Sequence, residues 1–459
     1  MDGPITLQLD DVMTASLVGS VAETTGMTAA VADFPAPVGA LVRIDRQSGR
    51  PVEGEVIGFR DGVTLVHLLS ATTGIRRGSR AQLIRTTRSL RVGPGLLGRV
   101  LDASGRCIDG RGQPVLTARV PLDRAPPRPM ERPRITAPLA TGVRAIDALL
   151  TCGRGQRIGI FSGSGVGKSV LLGMMSRYTN ADVIVTALVG ERGREVNEFL
   201  ERDLGPQGLA RSVVVVATSN EPALMRVQAA AAATAIAEYF RDEGRQVLLL
   251  MDSVTRYAMA LREIGLAAGE PPATRGYPPS MFAQLPRLVE RAGQNVHGSI
   301  TAFYTVLVEG DDETEPVADT MRGLLDGHVW LSRKLAGRGH YPAVDVLASV
   351  SRLMNDVTSQ KHQAAALVIR QLLAAHAEHE DLLSIGAYRR GTNRAVDTAI
   401  DMREALDALL QQRVDAAAEY DPLVDRLVAL AGQCQAKMAA PAVVSPAKVL
   451  PTESFVADK

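Results

Sequence analysis

The chain of 459 residues carries 51 basic against 50 acidic side chains, with 46% hydrophobic and 22% charged residues. That balance gives no global electrostatic reason to expect nucleic acid or an anionic membrane as partner, and the length allows about three domains at ~150 residues each. Cys107, Cys152 and Cys434 form no C-x-x-C pair, so neither a zinc site nor a disulfide framework is suggested, and a reducing cytoplasm is the simplest reading.

Along the chain, Met1 to Leu17 opens with acids where a signal peptide needs basic residues before an apolar core, and its apolar positions fit neither the helix nor the strand period. A first strand or frayed terminus is expected there, with a partner-binding arm as the alternative. From Val18 to Val92, short apolar runs (ALVRI, EVIGF, VTLVHLL, AQLIR) alternate with turns such as DRQSGR, which predicts a small β-barrel and an N-terminal domain over 1–92. Gly93 to Asp109 reads as turn-rich. The proline-dense segment Pro121 to Pro138 predicts an extended strap over the surface.

Val183–Val189, Val213–Ala217, Val247–Met251 and Ile300–Val308 are aliphatic runs without alternation, as expected of strands buried on both faces. Helical stretches such as Glu195–Leu204 and Pro222–Arg241 lie between them. Strand, helix, strand in series predicts a parallel sheet with right-handed crossovers, an α/β core over 93–360. After Gln360 helical periodicity runs to Gln435, predicting a helical domain over 361–459 with a loose tail from Met438. No stretch reaches the apolar length needed to cross a bilayer, so a soluble or peripherally bound protein is expected.

The most informative stretch is RIGIFSGSGVGKSVLLG, residues 157–173. It reads as strand, phosphate loop, helix: Gly163, Gly165 and Gly167 let backbone N–H groups turn inward, and the helix start adds positive potential. Gly163, Ser164, Gly165, Val166, Gly167, Lys168, Ser169 and Val170 are the candidate nucleotide-binding residues, with Lys168 on the β/γ-phosphates and the Ser169 hydroxyl on Mg²⁺. Ser162 stands where G-x-x-x-x-G-K-[ST] asks for glycine. A structural glycine-rich turn is the bland alternative.

Downstream, Asp252 ends a strand (VLLLMD) where a carboxylate would hold Mg²⁺ through its water shell; a helix cap is the alternative. Glu191, just past another buried strand in VGERGREV, is placed to polarise a water for attack on the γ-phosphate, unless it is a surface partner of Arg192 or Arg194. Arg192 and Arg256 are candidates to support the phosphate and Glu191. Arg352 ends a strand-like run and by itself reads as a surface ion-pair residue. Tyr341 could stack on adenine or fill the core.

Together GSGVGKS, GERGREV, the block from Leu250 to Met354 and DLLSIGAYRRG resemble the type III export ATPases, the family of the flagellum-specific ATPase, over roughly Val18 to Gln435. These enzymes are similar to the catalytic subunit of rotary ATP synthases. The resemblance implies an N-terminal β-barrel, a RecA-like P-loop core and a C-terminal helical domain in a homohexameric ring at the cytoplasmic base of an export apparatus. It implies ATP and Mg²⁺ as cofactors, Lys168 and Ser169 as phosphate and metal ligands, Glu191 as catalytic glutamate and Asp252 as the Walker B aspartate. Arg352 becomes a finger reaching the adjacent subunit's nucleotide, Tyr341 the adenine-facing aromatic, and residues 273–284 a pore-lining loop. The implied partners are a regulatory stator-like subunit, stalk and export-gate proteins, and chaperones with their substrates.

A rotary proton-pump subunit is the nearest rival, and IGAYRRGTN, with Arg389 and Arg390 where a pump carries an acidic lever loop, favours export. An RNA-translocating hexameric helicase needs a basic or aromatic primary site that Val18 to Val92 lacks. A non-catalytic nucleotide-binding regulator is disfavoured by Lys168, Glu191 and Asp252 together.

Overall fold

The computed structural model describes residues 17–308 and 315–439. The first strand or frayed terminus expected over Met1 to Leu17, apart from Leu17 itself, and the tail beyond Ala439 lie outside these residues.

Six strands close a barrel in the order β1-β2-β5-β4-β3-β6: β1 Val18–Thr25, β2 Thr28–Ala32, β3 Leu41–Ile44, β4 Val52–Arg60, β5 Val63–Leu68 and β6 Arg80–Arg85. Alternation decides the faces. In β3, Val42 and Ile44 point inward while Arg43 is exposed, and Val21, Val31, Val56, Val66 and Leu68 complete the interior. Register shifts at Val21/Glu23 and Val56/Gly58 supply the curl that closure needs. β7 (Ser89–Val92), read from sequence as part of the barrel region, leaves it and pairs antiparallel with β9 (Ala118–Pro121).

The turn-rich stretch from Gly93 holds a strand that the sequence reading missed. β8 (Arg99–Asp102) pairs parallel with the strand Ser212–Thr218 at the edge of the main sheet. Its Arg99 is buried there because Asp109 returns to meet it at 2.7 Å. The proline strap runs over the surface as expected, tied down by Arg124 to Asp242 and Arg134 to Asp356. It ends in β10 (Pro138–Leu139), which pairs with β11 (Cys152–Gly153).

Seven parallel strands form the core in the order β18-β12-β17-β15-β13-β14-β8. Those not yet placed are β12 Arg157–Ser162, β13 Val183–Glu191, β14 Ser212–Thr218, β15 Gln246–Asp252, β17 Ser299–Leu307 and β18 Gly327–Leu331. All nine residues of β13 are buried. β19 (Val344–Ser351) departs from the all-parallel expectation by pairing antiparallel with β18, and β16 (Gly293–Gln294) does so with β17.

The alanine-rich helix Ala223–Asp242 lies on one face with helices Val254–Ala267, Pro279–Val289 and Pro316–Leu324. Its small side chains allow close approach to the sheet. The expected helix from Glu195 to Leu204 begins as Gly193–Glu198 and continues as a π-helical turn, Phe199–Leu204.

On the other face lie helices Arg144–Leu149 and Lys168–Tyr178, and against them the C-terminal helices Gln360–Glu378, Glu380–Ser384, Arg394–Asp401, Arg403–Leu410 and Tyr420–Ala439. Ile369, Leu372, Leu409 and Leu427 share one apolar cluster with Leu149 and Leu172. No helix among the described residues is long and apolar enough to cross a membrane.

Candidate nucleotide site

β12 ends at Ser162, and the chain turns through Gly163–Gly167 into the helix Lys168–Tyr178. Gly165 and Gly167 have φ of 77° and 90°, a left-handed backbone that only glycine adopts at low cost. Ser162 is still strand, which is why serine is tolerated where the consensus asks for glycine. No side chain caps the helix, so its first N–H groups face the loop and favour an anion.

Two neighbouring strands, β13 and β15, deliver the acidic groups Glu191 and Asp252 to the same edge. Lys168 Nζ contacts Asp252 Oδ1 and lies 3.6 Å from Glu191 Oε1. Asp252 Oδ1 also accepts a bond of 2.8 Å from Thr305 Oγ1, a contact that no sequence signal announced. Asp252 does not cap the following helix; Ser253 does, accepting from Arg256 N. Ser169, Glu191, Glu195 and Asp252 line one small cavity.

Glu191 follows Gly190, whose φ is 73°. A Cβ on Gly190 would come within 2.8 Å of the Arg256 side chain, so glycine makes the room in which Arg256 Nε reaches to 3.4 Å from Glu191. Arg192 does not join the site. Its side chain is 75% exposed and lies 3.9 Å from Glu195, while Arg194 pairs with Glu198, so Glu191 faces Lys168 and Arg256 and is not a surface partner of Arg192 or Arg194.

Burial, then the nearby charge of Asp252, pushes the Glu191 carboxyl up to about 7. Burial opposes the Lys168 charge, but Asp252 and Glu191 outweigh it and hold the ammonium above its usual value. The bond from Glu191 lowers Glu195.

Beyond the loop a cavity of about 930 Å³ opens. Tyr341 lines it, 45% exposed, with its ring 3.7 Å from where a Gly167 Cβ would stand, so it is not a core tyrosine. Next to it the cavity is lined by the loop 411–415 of the helical region, which the sequence reading missed. Gln412 holds it in place, donating from Nε2 to Gly142 O at 2.8 Å and from its backbone to Tyr341 O at 2.9 Å. The polar pair Gln411-Gln412 breaking the apolar LDALL run is the signal that was available.

Arg352 is exposed and, among the described residues, in no ion pair. It follows β19, whose Ser351 pairs with Gly327 at the start of β18, so it sits at the amino end of the sheet. The phosphate loop is at the other end, roughly 20 Å away at ~3.3 Å per residue. Arg352 therefore does not face its own chain's loop. In the segment 273–284, Tyr277 is buried, with Arg262 5.2 Å from its ring, and Arg275 is turned outward.

Residues 142–351 match the ATP synthase alpha/beta family, nucleotide-binding domain, and residues 358–429 match the T3SS EscN ATPase C-terminal domain. The chain is 51% identical over 416 residues to the flagellum-specific ATP synthase of Bacillus subtilis, covering 91% of this chain and 94% of that one. It is 48% identical over 413 residues to the type 3 secretion system ATPase of Xanthomonas euvesicatoria, covering 90% and 93%. Among solved structures, the assembled ATPase EscN of the enteropathogenic E. coli type III secretion system superposes with a TM-score of 0.84 at 43% identity, covering 90% of this chain and all of that one. EscN in complex with its central stalk EscO matches equally well.

Proposed function

The chain belongs to the type III export ATPases of the ATP synthase alpha/beta family, and on that premise we propose that it hydrolyses Mg·ATP to power protein export, with flagellar components as its cargo. The observation that carries this is the meeting of Lys168, Glu191 and Asp252 beside the phosphate loop at the carboxyl edge of one parallel sheet. The match of residues 358–429 to an export-ATPase C-terminal domain sets the chain apart from a pump subunit or an RNA helicase.

In this reading Gly163–Val170 cradle the phosphates and Lys168 exchanges its contact with Asp252 for the β/γ-phosphate oxygens. Glu191 orients water and takes its proton as the water oxygen bonds to the γ-phosphorus and the bond to the ADP oxygen breaks. Arg256 holds the Glu191 carboxylate in place, and Tyr341 stacks on adenine. The Ser169 hydroxyl and the Asp252 carboxylate form an all-oxygen donor set that fits Mg²⁺, which would offset phosphate charge.

Arg352, remote from its own loop, acts on a neighbouring subunit's nucleotide, which requires self-assembly; a homohexameric ring with 273–284 toward its pore meets that requirement. The assembled EscN and its complex with a stalk support this arrangement. A stator-like subunit, the export gate and chaperone–substrate complexes are the further partners at the cytoplasmic membrane face, where ATP turnover releases and unfolds cargo. The test is complementation of a deletion strain: Lys168→Ala protein should bind and hydrolyse ATP poorly and leave hook and filament proteins unsecreted. Wild-type turnover in that variant would remove the phosphate-loop reading, and normal secretion without turnover would remove the export reading.

A further inference from the structure

Glycine at position 163 has a different cause from glycine at 165 and 167. Gly163 has no left-handed φ. Instead, a Cβ there would lie 2.5 Å from both Nε and Nη2 of Arg333 and 2.9 Å from its Cζ, so a guanidinium lies across the backbone of the phosphate loop. Topology puts it there. Ser162 and Leu331 are paired at the ends of adjacent parallel strands, so Gly163 and Arg333 leave the same edge of the sheet side by side. Ser332, accepting from Leu335 N, caps the short helix that Arg333 begins.

Lys334 and Arg338 on that helix both pair with Glu380, whereas Arg333 pairs with no carboxylate among the described residues and is exposed. The loop's own cation, Lys168, already faces two carboxylates. Beside the loop, then, Arg333 brings a positive charge that no described carboxylate offsets.

We propose that Arg333 is a phosphate-binding residue supplied by the same chain: its guanidinium closes the loop on the β18 side and donates to non-bridging oxygens of the nucleotide's phosphate chain. The proposal rests on the phosphate-loop reading above. A planar fork suits two phosphate oxygens, whereas an ammonium supplies charge alone.

Steady-state hydrolysis tests it. Arg333→Ala should raise KM for ATP by about tenfold with kcat within about twofold, the scale of one charge-assisted bond, and Arg333→Lys should recover part of the loss. Inorganic pyrophosphate, used as a competitor, should lose affinity by the same factor, because the contact is to phosphate and not to the base. Gly163→Ala would push the exposed, flexible guanidinium off the loop and should reproduce Arg333→Ala, with the double variant no worse than either single one. Unchanged KM and pyrophosphate inhibition, a fall in kcat alone, or additive losses overturn the proposal. A wild-type enzyme that does not hydrolyse ATP, or one indifferent to Lys168→Ala, would instead remove the phosphate-loop reading itself.

Discussion

Both ends of the parallel sheet carry buried ion pairs, and the two sets are built differently. At the amino end, Arg291 donates Nε and Nη2 to the two oxygens of Glu238 at 2.9 and 2.8 Å, and its third nitrogen to Leu122 O at 2.8 Å. Beside it Arg157 grips Asp326 with two donors. At the carboxyl end, Lys168 is shared unequally between Asp252 and Glu191, and Glu191 Oε1 is buried without a hydrogen bond. Matched forks hold strands and strap in register. A cation facing carboxylates that are incompletely bonded is a site whose charges can be exchanged for a ligand's, and perturbed ionisation gathers there.

The sharpest way to break this contrast is to neutralise one acid at each end. Glu191→Gln should lower ATP turnover by about 10²–10⁴-fold, the range of general-base contributions, while nucleotide still binds, as titration with a fluorescent ATP analogue would show. Glu238→Ala should do the reverse. Leaving Arg291 buried and unpaired costs about 3–5 kcal/mol of stability, read by chemical denaturation, while turnover per folded molecule stays near wild type. If Glu238→Ala abolished catalysis without loosening the fold, the division of labour between the two ends would be wrong.

Acidity should separate the ends by a smaller factor. Glu191 titrates at about 7, and only its ionised form accepts a proton from water. kcat/KM should therefore rise about tenfold from pH 6 to pH 8, because that ratio reports the ionisation of the free enzyme, and a pH–kcat/KM series on the wild type checks it. A flat profile would take the proton-accepting role from Glu191.

How far this site could be read without coordinates follows from the same contrast. Long aliphatic strands announce themselves, because a strand buried on both faces needs nothing but apolar residues, and Lys168, Glu191 and Asp252 each sit in or just after such a run. Direction and neighbours are not written in composition: β19 reads as one more aliphatic strand, yet it runs antiparallel and carries Arg352 to the far end. Four residues of β8 among glycines carry too little pattern to stand out, since their pairing with β14 is remote in sequence. Arg192 and Arg256 looked equivalent as supports for Glu191. What separates them is the missing Cβ of Gly190, which admits one, and the orientation of the helix Gly193–Glu198, which turns the other to solvent. Thr305, Arg333 and the loop 411–415 enter the site by packing alone.

The smallest effect expected concerns stability, and its sign is opposite to that of most substitutions. In the unfolded chain Glu191 releases its proton near the ordinary carboxyl value of 4.5, whereas in the fold it keeps it up to about 7. Below 4.5 both states are protonated and the group costs nothing. Between 4.5 and 7 the folded state holds a proton that the unfolded state has lost, and stability falls as pH rises until, above 7, the full cost of a buried carboxylate is present. Glutamine is never charged and escapes that cost, while Lys168 keeps Asp252 as its partner. Glu191→Gln should thus melt above the wild type at pH 8, with the advantage shrinking toward pH 5, in thermal denaturation at the two values. No such gain is available at the amino end, where removing the Glu238 carboxylate leaves Arg291 without its fork. An enzyme that stores destabilisation in one carboxylate, at the edge where its chemistry is done, should become firmer when that carboxylate is silenced.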